Sequence, residues 1–115
     1  MNKKVLVVED QDYLHDKWHR ELNGKVVIVS ALSIKEAEEQ FAANPDIAAI
    51  VMDACVPGDS PNTPLLVRKF RRTFTGPMIA ISSMSNYRAE LVDAGCDHES
   101  TKDLLSQKLL EVLGL

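Results

Sequence analysis

The stretch from Ile47 to Gly58, IAAIVMDACVPG, decides the predicted fold. Its first six residues, Ile47 to Met52, are all apolar, and the run ends at the carboxylate of Asp53, shortly before Pro57-Gly58. A short, entirely apolar run bounded by turn residues indicates a strand that is buried on both faces. An acid that directly follows such a strand lies at the sheet edge where parallel α/β proteins hold their chemistry. We therefore predict that Asp53 is the central functional residue.

Four further strands are predicted from short runs of sequence on either side of this one. They cover Val5–Val8, Lys25–Ser30, Met78–Ile81 and, with a more polar composition, Cys96–Thr101. Helical spacing and helix-end signals predict helices over Asp12–Asn23, Ser33–Asn44, Thr63–Phe74, Asn86–Ala94 and Asp103–Leu113. Ser33 and Glu36 have the spacing of a capping box, and Thr63-Pro64 has the form of an N-cap followed by proline at the first helical position.

The five strands and five helices alternate along the chain. Such alternation predicts an α/β fold with a parallel five-stranded sheet and helices on both faces, the doubly wound (βα)5 arrangement. In the common flavodoxin-like strand order, 2-1-3-4-5, the first and third strands are neighbours. Their carboxyl ends carry Glu9-Asp10 and Asp53, and Ser82 follows the fourth strand. The topology therefore brings these residues together in one crevice.

Three carboxylates in one crevice repel one another, so either some are protonated or a cation binds among them. Oxygen ligands of this kind suit Mg²⁺, which takes one or two carboxylates and retains several waters. The alternative is an acidic sheet edge that binds no ion. We favour the ion because two neighbouring strands, rather than one, end in acids at the same crevice.

A carboxylate beside Mg²⁺ can act as a nucleophile towards phosphorus and form an aspartyl phosphate. Catalysis of such a transfer requires positive charge near the phosphoryl oxygens. Lys102, which follows the fifth predicted strand, supplies a compact cation, and Ser82 supplies a hydroxyl group. The sequence thus provides a nucleophile, a cation and a hydrogen-bonding group at the same predicted edge.

Length and composition set the class of protein. The 115 residues, of which 45% are apolar and 26% charged, predict a single soluble globular domain over 1–115. The net charge of −4 disfavours direct nucleic-acid binding, and the basic cluster RKFRR at 68–72 is interpreted as the solvated face of a helix.

The apolar run VLVV near the N-terminus is too short for a signal peptide or a membrane span. Cys55 and Cys96 are interpreted as free thiols in a reducing cytoplasm.

With these residues, the sequence resembles the receiver domains of two-component response regulators over essentially its whole length. The resemblance rests on VLVVED with Glu9-Asp10, IAAIVMD with Asp53, Val56-Pro57, IAIS with Ser82, Ala94-Gly95 and Lys102, in this order and spacing. It implies the CheY-like fold of a stand-alone receiver, and a role in a Mg²⁺-dependent phosphorelay.

The resemblance also implies a role for each site residue. Asp53 would be the phosphoacceptor, and Lys102 would pair with the phosphoryl group or with Asp53. Ser82 would be the switch hydroxyl. Mg²⁺ would be held by Asp10, by Glu9 through a metal-bound water, by Asp53 and by the backbone carbonyl of Cys55.

The partners implied are a sensor histidine kinase or a histidine phosphotransfer protein as phosphoryl donor, and a downstream protein target that the sequence does not name. The chain would act as a monomer or weak dimer and would catalyse only its own phosphorylation and dephosphorylation. Because the sequence ends at Leu115, no attached output domain is expected, and output would proceed by protein–protein contact.

Four features depart from the pattern of that family. The loop after Asp53 is about two residues longer than is usual in the family, and the segment from Ser82 to Gly95 is about two residues shorter. Glu99 stands where many members carry an aromatic residue, and Asp103 follows Lys102 in place of the usual proline. We therefore expect an unusual surface from the fourth to the fifth helix, while the transfer chemistry is retained.

Three alternatives to a phosphoacceptor function remain open from the sequence. The first is a receiver-fold interaction module that phosphorylation does not control. The second is a zinc site at His15 and His19, which are spaced four apart on a helix, but the only other histidine is His98, so a position on the helix shoulder is favoured for both. The third is a nucleophilic serine in ISSMS, which lacks the G-x-S-x-G elbow.

Overall fold

The computed structural model describes residues 2–58 and 60–115; Met1 and Asp59, the latter in the loop predicted to be long, lie outside the described residues. Five parallel strands form one sheet in the order β2-β1-β3-β4-β5. The strands are β1 Lys3–Val8, β2 Val26–Ala31, β3 Ile47–Asp53, β4 Met78–Ile81 and β5 His98–Ser100. The predicted flavodoxin-like strand order is confirmed.

Five α-helices follow the strands and cover both faces of the sheet. They are α1 Asp12–Glu21, α2 Ile34–Ala43, α3 Pro64–Arg71, α4 Ser85–Ala94 and α5 Leu105–Leu113, with a 3₁₀ turn at Lys102–Leu104. Helices α1 and α5 pack on one face, where Trp18 is completely buried, and α2, α3 and α4 pack on the other, where Phe70 is buried. The sheet is therefore buried on both sides, as the apolar runs predict.

Strand β3 lies in the middle of the sheet and contributes side chains to both layers. Ile50 and Met52 point to the layer that contains α2, α3 and α4, whereas Ala49 and Val51 point to the layer that contains α1 and α5. This alternation is the pleat of an extended strand. It explains why IAAIVM has no polar position, and it places Asp53 at the carboxyl end of the central strand.

The structure corrects two predicted helix and strand boundaries near the C-terminus. Strand β5 has three residues, His98–Ser100, rather than the predicted span of Cys96–Thr101. Helix α5 begins at Leu105 because the preceding residues Lys102–Leu104 form a 3₁₀ turn. Lys102 thus begins a tight turn that is separated from the short edge strand β5 by Thr101 alone.

The helix-cap predictions have different outcomes. Ser33 is confirmed as an N-cap, because its hydroxyl oxygen accepts a hydrogen bond from the backbone N–H of Glu36. Helix α3 begins at Pro64 as predicted, but the prediction that the Thr63 side chain caps it is wrong. Thr63 is completely buried, and its hydroxyl donates instead to the backbone carbonyls of Asp53 and Ala54.

The basic cluster at 68–72 is not simply the solvated face of a helix. The Arg71 guanidinium donates to the backbone carbonyls of Phe74, Gly76 and Gly95 at 2.7 to 3.0 Å, and it pairs with the Asp97 carboxylate. Asp97 in turn accepts a hydrogen bond from the backbone N–H of Met78 at 3.0 Å. Arg71 therefore ties the end of α3 to the connections that lead into β4 and β5.

We expect Arg71→Met to lower the free energy of unfolding by about 1–3 kcal/mol, because it removes a charge-assisted hydrogen-bond network and leaves carbonyls without their donor. Urea denaturation measures this directly. Arg68→Met is the matched control, since Arg68 is exposed on the same helix and the change in charge is identical. Equal losses of stability in the two variants would contradict the bracing role of Arg71.

Candidate functional site

The acidic side chains converge at the carboxyl edge of the sheet because the central strands end at the same level. Val8 of β1 is paired with Met52 of β3, and Asp53 is paired with Ile81 of β4. The residues that follow these pairs leave the sheet side by side. One carboxylate oxygen from each of Glu9, Asp10 and Asp53 lies within 4.8 Å of the other two.

The cluster borders an open pocket of about 430 Å³. Asp10, Asp53, Ser82 and Lys102 line the pocket, and Tyr87 of α4 forms part of its wall. Glu9 is completely buried, and Asp53 is 3% exposed. The residues predicted to perform chemistry are thus brought together at one cavity, with Glu9 the most deeply placed acid.

Lys102 connects two of the acids. Its Nζ atom lies 2.7 Å from Oε1 of Glu9 and 3.4 Å from Oδ2 of Asp53. The closer contact with Glu9 is not among the contacts expected from the sequence. Because the side chain of Lys102 is 29% exposed, it bridges the buried acids and the pocket.

Burial dominates the protonation of the cluster. It raises the pKa of Glu9 to about 7, with the charge of Asp53 adding to the rise and the hydrogen bond from Lys102 opposing it. Burial also raises the pKa of Asp53, against the charge of Lys102 and a hydrogen bond from the backbone N–H of Cys55. For Lys102, burial lowers the pKa, but its contacts with Glu9 and Asp53 outweigh burial and raise it. In the metal-free cluster, burial therefore favours the protonated forms of Glu9 and Asp53.

The raised pKa of Glu9 predicts how the stability of the metal-free protein depends on pH. Glu9 binds its proton more tightly in the folded chain, with a pKa of about 7, than at its ordinary value of 4.5. Its contribution to stability is therefore fully present below pH 4.5 and is lost as the pH rises through about 7. The loss amounts to at most about 3 kcal/mol for a shift of this size. Urea denaturation in EDTA at pH 5 and pH 8 tests this.

The matched variant for this test is Glu9→Gln, which stays neutral at every pH. We expect the stability of the wild type, relative to Glu9→Gln, to fall between pH 5 and pH 8. A constant difference between the two proteins across that range would show that Glu9 ionises in the folded state as it does in the unfolded state.

Ser82 is held at the pocket by contacts with α4. Its hydroxyl oxygen accepts a hydrogen bond from the backbone N–H of Met84 at 3.1 Å, which leaves the hydroxyl proton available to an acceptor in the pocket. Its backbone carbonyl accepts a hydrogen bond from Arg88 at 2.7 Å. Arg88 also donates to Glu99 of β5 at 2.8 Å. Glu99, one of the unusual residues in the sequence, is thus the ionic partner of a helix residue that contacts Ser82.

His15 has a role that the sequence did not reveal. The prediction that it lies on a helix shoulder is wrong, because it is 4% exposed and its Nε2 atom lies 2.7 Å from the backbone carbonyl of Glu9. Since a carbonyl only accepts, Nε2 carries the proton and donates.

His19 is exposed and lies 3.3 Å from the Ser30 hydroxyl. Within residues 2–58 and 60–115, the acids Glu9, Asp10 and Asp53 are the only cluster of potential metal ligands, and it contains no histidine.

The donor set fits a hard divalent cation. Three carboxylates face a single ammonium group, and burial raises the pKa values of two of the acids. A bound cation would balance the excess of carboxylates over ammonium groups, and it would lower the raised pKa values of Glu9 and Asp53. Oxygen-only ligands at the edge of a water-accessible pocket are the environment that Mg²⁺ prefers.

Neither Cys55 nor Cys96 is disulfide-bonded, in agreement with the prediction of reduced thiols. Cys96 is buried, and burial raises the pKa of its thiol to about 12. Cys55 is partly buried and lies two residues after the end of β3, and its backbone N–H contacts the Asp53 carboxylate.

Comparison with solved structures identifies proteins that share this fold. A two-component response regulator from Clostridium difficile has a TM-score of 0.82 at 19% identity, with 98% of this chain and 97% of that chain covered. A response regulator receiver protein from Pseudoalteromonas atlantica has a TM-score of 0.80 at 15% identity, covering 96% and 97%. The signal receiver domain of an HD domain-containing protein from Pseudomonas fluorescens Pf-5 has a TM-score of 0.79 at 17% identity, covering 99% and 93%. No protein-family model and no curated protein matches the sequence.

The fold is therefore that of the receiver domains of response regulators. The likeness extends over the whole chain, and the strand order and the five helices agree with it. The acidic cluster lies at the carboxyl edge of this fold. In the part of the chain that the structure describes, no helix is both long enough and apolar enough to cross a membrane.

Proposed function

We propose that the chain is a response regulator that accepts a phosphoryl group on Asp53 in a Mg²⁺-dependent phosphorelay. The observation that carries the proposal is the convergence of acids, a lysine and a hydroxyl on one pocket of a receiver fold. Asp53 and Lys102 are 3.4 Å apart, and Ser82 lines the same cavity. Each group has a separate part in transfer.

In the transfer step, an oxygen of the Asp53 carboxylate attacks phosphorus, and the bond from phosphorus to a histidine nitrogen of the donor breaks. The electron pair of that bond returns to the imidazole of the donor. Lys102, 3.4 Å from Asp53, would balance the charge that collects on the phosphoryl oxygens, and Ser82, whose hydroxyl oxygen accepts from the Met84 N–H, would donate its hydroxyl proton to one of them. Hydrolysis of the aspartyl phosphate by water would reset the protein.

Mg²⁺ would be held by Asp10 and Asp53, by Glu9 and by the backbone carbonyl of Cys55. The ion would supply positive charge that lets an anionic carboxylate and an anionic phosphoryl group approach each other. The chain's own residues provide the remaining positive charge through Lys102. The chemistry of the chain would be confined to its own phosphorylation and dephosphorylation.

The partners proposed are a sensor histidine kinase or a histidine phosphotransfer protein, acting with this chain in the cytoplasm, and a protein target for output. Glu99 and Arg88 support an output surface around α4 and β5, because their ion pair reaches the backbone of Ser82. That surface differs from the aromatic arrangement expected of many family members.

Incubation of the protein with Mg²⁺ and acetyl phosphate, or with Mg²⁺ and beryllofluoride, tests the proposal. We expect a mass increase of one phosphoryl group, or saturable beryllofluoride binding, in each case only with Mg²⁺ present. If Mg²⁺ and both reagents leave the wild type unchanged, the proposal is wrong. The chain would then be interpreted as a receiver-fold interaction module that phosphorylation does not control.

A further inference from the structure

Two consecutive residues that precede α3, Asn62 and Thr63, make an extensive set of contacts with the backbone beside the acceptor. Thr63 is completely buried. Its hydroxyl lies 2.7 Å from the backbone carbonyl of Asp53 and 3.2 Å from that of Ala54, and it donates to both. A fully buried hydroxyl satisfied in this way fixes the carbonyls that it contacts.

Asn62 contacts the next part of the same segment. Its side-chain amide donates to the carbonyl of Val56 at 2.7 Å and accepts from the N–H of Val56 at 2.7 Å. Its own backbone N–H donates to the carbonyl of Ala54 at 2.9 Å. The asparagine side chain thus imitates the paired hydrogen bonds of a neighbouring strand, at a place where the chain has left the sheet.

All of these contacts fall on Asp53–Val56, the segment that carries the acceptor. Between the fixed carbonyl of Ala54 and the fixed backbone of Val56 lies Cys55, whose N–H hydrogen-bonds the Asp53 carboxylate. The backbone on both sides of Cys55 is therefore held by Asn62 and Thr63. A change of either residue would alter where the Cys55 backbone meets the carboxylate.

We propose that Asn62 and Thr63 are positioning residues of the acceptor site, which set the geometry of the Asp53 carboxylate and the Cys55 backbone for Mg²⁺ binding. This inference rests on the proposed function, because it assigns these residues to the same ion. Residues that orient metal ligands without touching the metal typically contribute 10- to 100-fold in affinity. Their effect is on ion affinity and on transfer, and is separable from their effect on folding.

The test compares Thr63→Val, Asn62→Ala and the conservative Thr63→Ser with the wild type. Thr63→Val keeps the shape of the side chain and removes the donor, whereas Thr63→Ser keeps the hydroxyl. Thr73→Val is the matched control, because Thr73 is exposed beyond the end of α3. Three quantities are measured for each protein: the Kd for Mg²⁺ by calorimetry, the rate of phosphorylation by acetyl phosphate at saturating Mg²⁺, and the free energy of unfolding in EDTA.

We expect the Kd for Mg²⁺ to rise about 10-fold or more in Thr63→Val and in Asn62→Ala. Thr63→Ser and Thr73→Val should bind Mg²⁺ with nearly wild-type affinity. If Thr63→Val fails to fold, Asn62→Ala decides the question, since Asn62 is exposed and its replacement leaves no cavity in the core.

The two proposals fail in different ways. A wild type that binds no Mg²⁺ and takes no phosphoryl group overturns the proposed function, and this inference with it. A wild type that is phosphorylated, together with variants that lose stability but keep the wild-type Kd for Mg²⁺, overturns this inference alone. That result would show that Asn62 and Thr63 stabilise the loop without positioning the acceptor.

Discussion

Asp53→Asn is expected to abolish phosphorylation by acetyl phosphate or by a phosphohistidine donor, to below the limit of detection. The amide is close to the carboxylate in shape, but it lacks the anionic oxygen that attacks phosphorus. The variant should nevertheless fold, because the neutral amide removes a negative charge that repels the buried carboxylate of Glu9. That repulsion is one of the influences that raise the pKa of Glu9. Phosphoryl incorporation is measured by intact mass and by release of the label with hydroxylamine.

Asp93→Asn is the control for this variant, since Asp93 is an exposed aspartate of α4. It should be labelled at the wild-type rate. Label that persists in Asp53→Asn would show that another residue is the acceptor, and the proposed function would have to be abandoned in its present form.

Lys102→Met is expected to slow phosphorylation of Asp53 by about 100-fold, the usual effect of removing one group that stabilises charge in a transition state. Its Nζ atom lies 3.4 Å from Oδ2 of Asp53. The variant also removes the 2.7 Å contact with Glu9, which opposes the rise in the pKa of that acid. We therefore expect the pKa of Glu9 to rise further in the metal-free variant.

Single-turnover labelling at saturating Mg²⁺ measures the rate for Lys102→Met. Lys69→Met serves as control, because Lys69 is an exposed lysine whose carboxylate partner, Glu38, lies on α2. Rates that are equal in wild type and Lys102→Met would leave Lys102 with a structural role only.

The fold and the convergence of the candidate site residues could be predicted from the sequence, because both depend on patterns along the chain. The apolar run before Asp53 fixes a central strand, and alternation of strands and helices fixes the parallel order. The position of an acid at a strand end then places it at a known edge of the sheet. Asp53 and Lys102 could be placed at this edge because Asp53 ends β3 and Lys102 lies two residues after the end of β5.

The remaining contacts depend on where side chains point in three dimensions, which the sequence pattern does not show. Thr63 precedes a proline at the start of a helix, a pattern typical of an N-cap, yet its backbone is helical and its hydroxyl turns back towards β3. His15 is polar and lies beside an apolar stripe, yet it is buried under the Glu9 carbonyl. Arg71 belongs to a basic run, and only the path of the loops around it makes it a hydrogen-bond centre.

The short edge strand β5 has a consequence for the local stability of the site. Its three residues pair with β4 alone, whereas the acids follow β1 and β3 in the interior of the sheet. Edge segments with few hydrogen bonds open at a lower free energy than central strands. Opening of β5 and the turn after it would carry Lys102 away while the acids stay in place. Asp53 would then lose the contact with Lys102 through a sub-global fluctuation, and the lifetime of the assembled site would depend on how often β5 opens.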